Sequence, residues 1–123
     1  MTINRALALL CLVTALTGCA TTTPIEPPKA NTKALIELYQ MCAIQSASQM
    51  MGASSESAFD IAKVAVSGCR TFLPDIEKSL IADNSTNAFA VAYASGFVSR
   101  IEPTVINIIA GVIMSRRAAG AKP

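Results

Sequence analysis

The chain has 123 residues, of which 52% are hydrophobic and 15% charged, enough for one small domain. This composition excludes a disordered chain, which needs low hydrophobicity and high charge. Ten basic and eight acidic side chains give a net charge of +2, too weak a field to recruit nucleic acid. The absence of histidine excludes His-dependent general bases, serine nucleophiles activated by histidine, and His-ligated zinc.

Residues 1–18 have the features of an export signal. A short start with one positive charge, Arg5, precedes an apolar run over residues 6–15. About ten apolar residues are typical of a signal peptide and too few for a membrane span of about twenty. Removal of this segment takes away one of the ten basic side chains, so the mature chain would carry nine basic and eight acidic ones.

The segment ends in a processing motif, Leu16-Thr17-Gly18-Cys19. The motif resembles the lipobox of bacterial lipoproteins, in which an aliphatic residue and two small residues precede an obligate cysteine. The resemblance covers residues 1–19 only. It implies cleavage before Cys19 and attachment of diacylglycerol to its thiol, so that acyl chains such as palmitate hold the protein to a membrane of the cell envelope. The alternative is an ordinary signal peptide followed by a chance cysteine.

The residue that follows the cysteine bears on location. Ala20 stands where an aspartate commonly means retention in the inner membrane of enteric bacteria. We therefore expect the protein in the inner leaflet of the outer membrane, facing the periplasm.

Residues 19–31 are predicted to be the lipidated cysteine and an extended linker. Three prolines in this segment remove backbone donors and favour extended backbone. At about 3.1 Å per residue, residues 20–31 would reach roughly 35 Å in a polyproline II conformation. We expect a tether that holds the folded domain away from the membrane; a proline-rich motif that docks on a partner is the alternative.

Residues 32–118 are predicted to form an all-α domain, a small helical bundle, followed by a flexible tail over 119–123. The first helix should cover residues 32–51, with Asn31 or Thr32 as its cap and Gly52 at its end. The second should begin near residues 55–57 and end or kink at Pro74. Its apolar stripe recurs at spacings of three and four, at Phe59, Ala62, Val66, Cys69 and Leu73.

The second half of the domain is predicted to contain one short helix and two longer ones. The short helix should cover residues 75–81 and a polar break residues 83–86, before helices over 86–101 and 104–117. Pro103 should separate the two longer helices, because the residue before a proline avoids the helical region. Arg100 and Glu102 lie in the middle of the apolar stretch 88–114, and each apolar half is about twelve residues long. We therefore predict two core helices that meet at a kink; a membrane helix is the alternative.

Cys42 and Cys69 are predicted to form a structural disulfide that links a helical hairpin. In a hairpin that turns near Ser54, the two cysteines lie at similar heights, each on the apolar stripe of its helix. The oxidising periplasm expected for an exported chain favours pairing. Buried free thiols and a redox pair are the alternatives, although the Cys-X-X-Cys spacing typical of redox pairs is missing.

No pattern in the sequence predicts catalysis, a metal site or a cofactor. Glu56 and Asp60 are four residues apart, which suits a helix start better than a pair of catalytic carboxylates. Tyr39 and Tyr93 are predicted to pack between helices. Arg116 and Arg117 should interact with the negative end of the last helix rather than with lipid phosphates or cell-wall carboxylates.

These observations favour a non-enzymatic envelope lipoprotein that binds or scaffolds another envelope component. Its expected partners are membrane lipid, through the Cys19 anchor, and an envelope protein, but no nucleic acid. The alternative is a carrier or sensor of a small apolar ligand held between helices, and a small hydrolase is a weaker one. A ligand cavity would be lined by flexible or aromatic side chains, among Met41, Met50, Met51, Phe59 and Phe97.

Overall fold

A computed structural model describes residues 23–52 and 54–120. The predicted signal peptide, Cys19 and residues 121–123 of the predicted tail lie outside the described residues. Within them the fold is all-α, as predicted, with no strand. Its elements are α1 (Ala30–Met51), α2 (Ala58–Gly68), a 3₁₀ turn (Arg70–Phe72), α3 (Leu73–Asp83) and α4 (Ala90–Ala118).

The start of α1 differs from the predicted one. The helix begins at Ala30, and its N-cap, Lys29, makes no side-chain cap. The predicted cap Thr32 is instead buried, and its hydroxyl donates to the Asp83 carboxylate at 2.5 Å. Its Oγ1 also lies 2.6 Å from the hydroxyl of Ser79. Because Thr32 has one hydroxyl hydrogen, Ser79 is the donor in that second bond. Thr32 therefore joins α1 to α3 and caps nothing.

The start of α2 lies where the sequence predicts it. Ser57 is the N-cap, and its hydroxyl accepts a hydrogen bond from the backbone N–H of Asp60 at 3.1 Å. The buried face of α2 is more alanine-rich than the predicted stripe, however. Phe59 is exposed, with the Lys63 ammonium 4.7 Å from its ring centroid, whereas Ile61 and Ala65 are buried. The assignment of Phe59 to the core was wrong.

Pro74 starts a helix instead of ending one. It lies in the first turn of α3, where a proline is favoured because its missing N–H would have no intrahelical acceptor. The preceding turn of 3₁₀ helix, Arg70–Phe72, separates α2 from α3. As a result α3 has eleven residues, longer than the predicted turn over 75–81.

Helix α4 is continuous through Pro103, so the predicted break into two helices was wrong. Pro103 lacks the N–H that would bond the Ser99 carbonyl, but both residues are exposed and water can satisfy that carbonyl. The opposite face stays regular across the proline, with Ile101, Val105 and Ile109 buried at intervals of four. Burial of this face keeps the helix continuous at Pro103, where the local sequence favours a helix end.

By length and composition alone, α4 could cross a membrane. It has 29 residues, and in its most apolar stretch 28% of the residues are buried in the bundle. The expectation of two halves each too short to span was therefore wrong. Its charged residue Glu102 pairs with Arg70 of the 3₁₀ turn, with Arg70 Nε 2.9 Å from the carboxylate. One face of α4 thus belongs to the core of the bundle.

Helices α1 and α4 start at the same end of the bundle. At that end, the α3–α4 end (residues 23–29 and 83–89), Thr32 at the start of α1 bonds Asp83. At the other end, the α1–α2 end (residues 54–57 and the last turn of α4), Arg117 donates to the Glu56 carbonyl at 2.9 Å. The two helices therefore run in the same direction, and α2 packs against both of them.

The second half of the predicted tether is part of the fold. Residues 23–29 form no helix, turn or strand, and Lys29 is extended, as the prolines predict, but the segment is bonded to the α3–α4 end. The Glu26 N–H donates to Asn84 Oδ1 at 2.8 Å, and the Lys29 N–H donates to Asp83 Oδ2 at 2.9 Å. The expected free standoff of roughly 35 Å was therefore wrong for these seven residues.

Candidate functional site

The predicted disulfide is present and links the first two helices. Cys42 lies in the middle of α1 and Cys69 at the end of α2, with their Cα atoms 6.0 Å apart. Cys69 is almost fully buried, and its neighbours Tyr39 and Ala65 belong to the same core. Two observations indicate a structural disulfide. The bond lies beneath packed helices, and the described residues contain no second thiol pair.

An open apolar groove lies between the C-terminal halves of α1 and α4. Its rims carry large apolar side chains that are about half exposed: Ile44 at 51%, Ile108 at 54% and Val112 at 46%. Ile109 and Ile113, which are buried, form the floor. The groove has a volume of about 260 Å³. Apolar surface that stays exposed between two helices is a candidate binding site.

The ends of this groove add polar groups to it. Arg116, in the last turn of α4, lines one end, and Ser48 lies among the lining residues of α1. The groove opens because α1 and α4 contact each other less closely than each contacts α2. Hydrophobic grooves are one of the surfaces on which proteins bind the apolar face of an amphipathic helix.

A second cavity lies between α1 and α2, at the α1–α2 end. It has a volume of about 420 Å³, within the range of small-ligand pockets. Met50, Ile61 and Val64 supply its apolar lining. Glu56 and Asp60 lie at its edge, so the two carboxylates that suited a helix start also border a pocket.

Arg117 holds the loop between α1 and α2. Besides the bond to Glu56, its guanidinium donates to the Ser54 carbonyl at 3.4 Å. The sequence placed Arg116 and Arg117 together at the negative end of the last helix, and both do lie in the last turn of α4. Their roles differ: Arg117 ties α4 to the α1–α2 loop, whereas Arg116 lines the apolar groove.

The residues proposed for a ligand cavity do not share one. Met50 lines the cavity between α1 and α2, and Met51 lines the groove between α1 and α4. Met41 and Phe59 are exposed and line neither cavity. Phe97 is half-buried against the core, where its ring lies 6.2 Å from that of Tyr93.

The sequence pattern does not predict the groove. Ile44 was predicted only to lie in the first helix, and Ile108 and Val112 were predicted to lie, with Val105 and Ile109, in a core helix over 104–117. In the fold only the latter two are buried. One signal for the groove is present in the sequence, because the apolar surface of residues 104–117 is too wide to be covered by one partner helix. The predicted kink at Pro103 concealed this signal.

Tyr39 is the one buried polar side chain without a partner in the part of the chain described here. It is fully buried, and its hydroxyl makes no hydrogen bond within 23–52 and 54–120. Burial, with a smaller contribution from the charge of Glu102, raises the pKa of Tyr39 to about 12, although Arg70 acts in the opposite direction. The side chain packs between helices, as predicted.

The described residues hold no cluster of three metal-ligating side chains. The strongest charged contact is the Arg70–Glu102 pair, in which hydrogen bonds from Arg70 to Glu102 raise the pKa of Arg70. Two hydroxyls of the described residues donate to carboxylates, Ser57 to Asp60 at the start of α2 and Thr32 to Asp83 between α1 and α3, both at 2.5 Å. The chain matches no protein-family model, no curated protein and no solved structure.

Proposed function

We propose that the mature chain is a lipoprotein of the bacterial envelope, anchored through Cys19, whose helical domain binds an apolar helix of another envelope protein. The observation that carries the proposal is the groove between α1 and α4, where Ile44, Ile108 and Val112 are about half exposed. Scaffolding or accessory binding needs such a surface and no catalytic group. The protein is proposed to be non-enzymatic and to need no cofactor.

The shape of the groove supports a helical occupant. Its α1 side extends from Ile44 to Met51 and its α4 side from Ile108 to Arg116, each about 10–12 Å at 1.5 Å per residue. That length accepts two turns of an amphipathic helix with anchors at intervals of three and four. Arg116 at one end favours an acidic residue on the partner, because an opposite charge there contributes to orientation.

The test is a pull-down of full-length, C-terminally tagged protein from gently solubilised membranes. We expect one envelope protein to co-purify stoichiometrically with the wild type and with Asn107→Asp, and to be lost with Ile108→Asp. Asn107 is a matched control because it is exposed on α4, next to Ile108, but does not line the groove. Equal recovery of the partner with both aspartate variants would contradict the proposed site.

The anchor is tested separately with Cys19→Ala. We expect this variant to lose its acyl group and to leave the membrane fraction, whereas Ile108→Asp should stay there. Retention of Cys19→Ala in membranes would contradict anchoring through that cysteine.

A second candidate function is transport or sensing of a small apolar ligand. It is favoured by the cavity of about 420 Å³ between α1 and α2, which Met50, Ile61 and Val64 line. If this function is correct, mass spectrometry of the purified protein should detect a bound apolar molecule. Val64→Asp should remove the bound molecule, because Val64 is exposed at the cavity wall and its replacement leaves the core intact.

A further inference from the structure

The segment 23–29 fixes where the chain enters the domain. Asn87 Nδ2 donates to the Thr23 carbonyl, and Asn84 Oδ1 accepts from the Glu26 N–H at 2.8 Å. Lys29 is held in turn by Asp83. Bonds at the first, fourth and seventh of the seven residues bind the segment to the α3–α4 end. The chain that precedes Thr23 must therefore start from this end of the bundle.

The chain between the proposed anchor and this end is short. Cys19 and Thr23 are four residues apart. Even fully extended, four residues span at most about 14 Å. If Cys19 carries acyl chains in a bilayer, the α3–α4 end lies within that distance of the cysteine and cannot stand far from the lipid.

The same end exposes large apolar side chains. Phe89 is 57% exposed and Val91 is 62% exposed, both at the start of α4. Phe89 lies two residues from Asn87, which bonds Thr23, so the apolar pair and the chain entry are neighbours. Aromatic and aliphatic side chains of this kind are favourable at the boundary between headgroups and acyl chains.

This end carries one basic side chain, Lys29, and two acidic ones, Glu26 and Asp83. Lys29 forms an ion pair with Glu26 at 3.5 Å, and the Asp83 carboxylate accepts hydrogen bonds from Thr32 and Lys29. This end therefore offers no polybasic patch for anionic headgroups. Contact with a bilayer would therefore depend on the insertion of apolar side chains and not on attraction between charges.

We propose that Phe89 and Val91 insert into the bilayer surface and hold the bundle upright on the membrane. This inference rests on the lipid anchor proposed above. It deepens the proposed function, because Ile108 lies nineteen residues further along α4, about 28 Å away at 1.5 Å per residue. The helices themselves, rather than a flexible tether, then present the groove to a partner in the periplasm.

The chain has no tryptophan, so a single introduced one is a clean reporter of this contact. The experiment uses acylated, full-length mature protein in vesicles of phosphatidylethanolamine and phosphatidylglycerol that contain a dibrominated phosphatidylcholine. Phe89→Trp and Val91→Trp report on the α3–α4 end. Met114→Trp, an exposed apolar position near the other end of α4, is the matched control.

We expect the bromines to quench the fluorescence of Phe89→Trp and Val91→Trp and to leave that of Met114→Trp unchanged. Equal quenching at both ends would overturn the proposal in favour of a bundle lying flat or an inserted α4. No quenching at any position in acylated protein would overturn the membrane contact alone. Absence of an acyl group on Cys19, detected by mass spectrometry of the same sample, would overturn the anchor as well.

Discussion

The side chain of Asn84 binds both the backbone N–H and the backbone carbonyl of Glu26. Its Oδ1 accepts from the Glu26 N–H at 2.8 Å, and its Nδ2 donates to the Glu26 carbonyl at 3.4 Å. Asn84 is buried and also donates to the Leu80 carbonyl at 3.3 Å. This pairing makes a proline-rich segment part of a helical domain and thereby sets where the chain enters.

Asn84→Ala should release the segment 23–29. The substitution leaves the Glu26 N–H without its partner, so we expect faster hydrogen exchange at the Glu26 amide. Loss of the buried hydrogen bonds should cost about 1–3 kcal/mol of the free energy of unfolding. Asn107→Ala on the exposed side of α4 is the control. Unchanged exchange at Glu26 would show that Asn84 does not hold the segment.

The Asp83 contacts predict a loss of stability in acid. Burial alone would raise the pKa of Asp83, but hydrogen bonds from the Thr32 hydroxyl and the Lys29 backbone, with the charge of Lys29, lower it below the ordinary value. A lowered pKa means that the unfolded chain binds the proton more readily. The carboxylate therefore stabilises the fold above the ordinary aspartate pKa of about 3.9, and this contribution is lost as the pH falls further.

Urea unfolding across pH measures this effect. The free energies of unfolding of the wild type and Asp83→Asn should differ at neutral pH, and the difference should shrink as the pH falls below the ordinary aspartate range. If the difference in free energy of unfolding stays constant with pH, the contacts of Asp83 with Thr32 and Lys29 do not depend on its charge.

The disulfide between Cys42 and Cys69 should contribute substantially to stability. It closes a loop with a sequence separation of 27 residues, for which chain entropy gives about 3–4 kcal/mol. For a domain of this size, the double variant Cys42→Ser/Cys69→Ser should melt more than about 10 °C below the wild type. Reduced wild-type protein is the control and should melt like the double variant. Equal melting of the oxidised wild type and the double variant would contradict a stabilising bond.

Tyr39→Phe should leave stability unchanged or raise it. The Tyr39 hydroxyl is buried and has no partner within the described residues, so its removal relieves a desolvation cost of about 1 kcal/mol or more. The ring, which fills the core beside Cys69, is retained. Thermal unfolding of the variant checks this. A melting temperature several degrees lower would reveal a hydrogen-bond partner, such as a buried water.

The fold could be predicted from the sequence to the level of an all-α bundle and one disulfide. Ser57, with Asp60 three residues later, marks a helix start through local bonds alone, and Cys42 and Cys69 lie on stripes set by helical spacing. Pro74 was misjudged because proline is favoured in the first turn of a helix as well as after its end, and Pro103 because local preference does not decide there. At Pro103 the uninterrupted burial of Ile101 and Val105 outweighs one missing hydrogen bond.

The groove and the docked segment depend on contacts between distant residues. Ile108 and Val105 are both apolar, and the packing of the other helices against α4 decides that one is exposed and the other buried. The bonds of Asn84 to Glu26 join residues 58 apart in the chain. No spacing rule of helices or turns reaches that far, so these features appear only in the folded protein.

Photo-crosslinking in the living cell tests the central proposal most directly. A photoreactive phenylalanine analogue replaces Ile108 in the groove of the full-length protein, and Asn107 in a matched control. The proposed function predicts a crosslink to one envelope protein from position 108 and none from position 107, with the crosslink lost when Val112→Asp is added. Crosslinks to the same protein from both positions, or from neither, would contradict binding in the groove between α1 and α4.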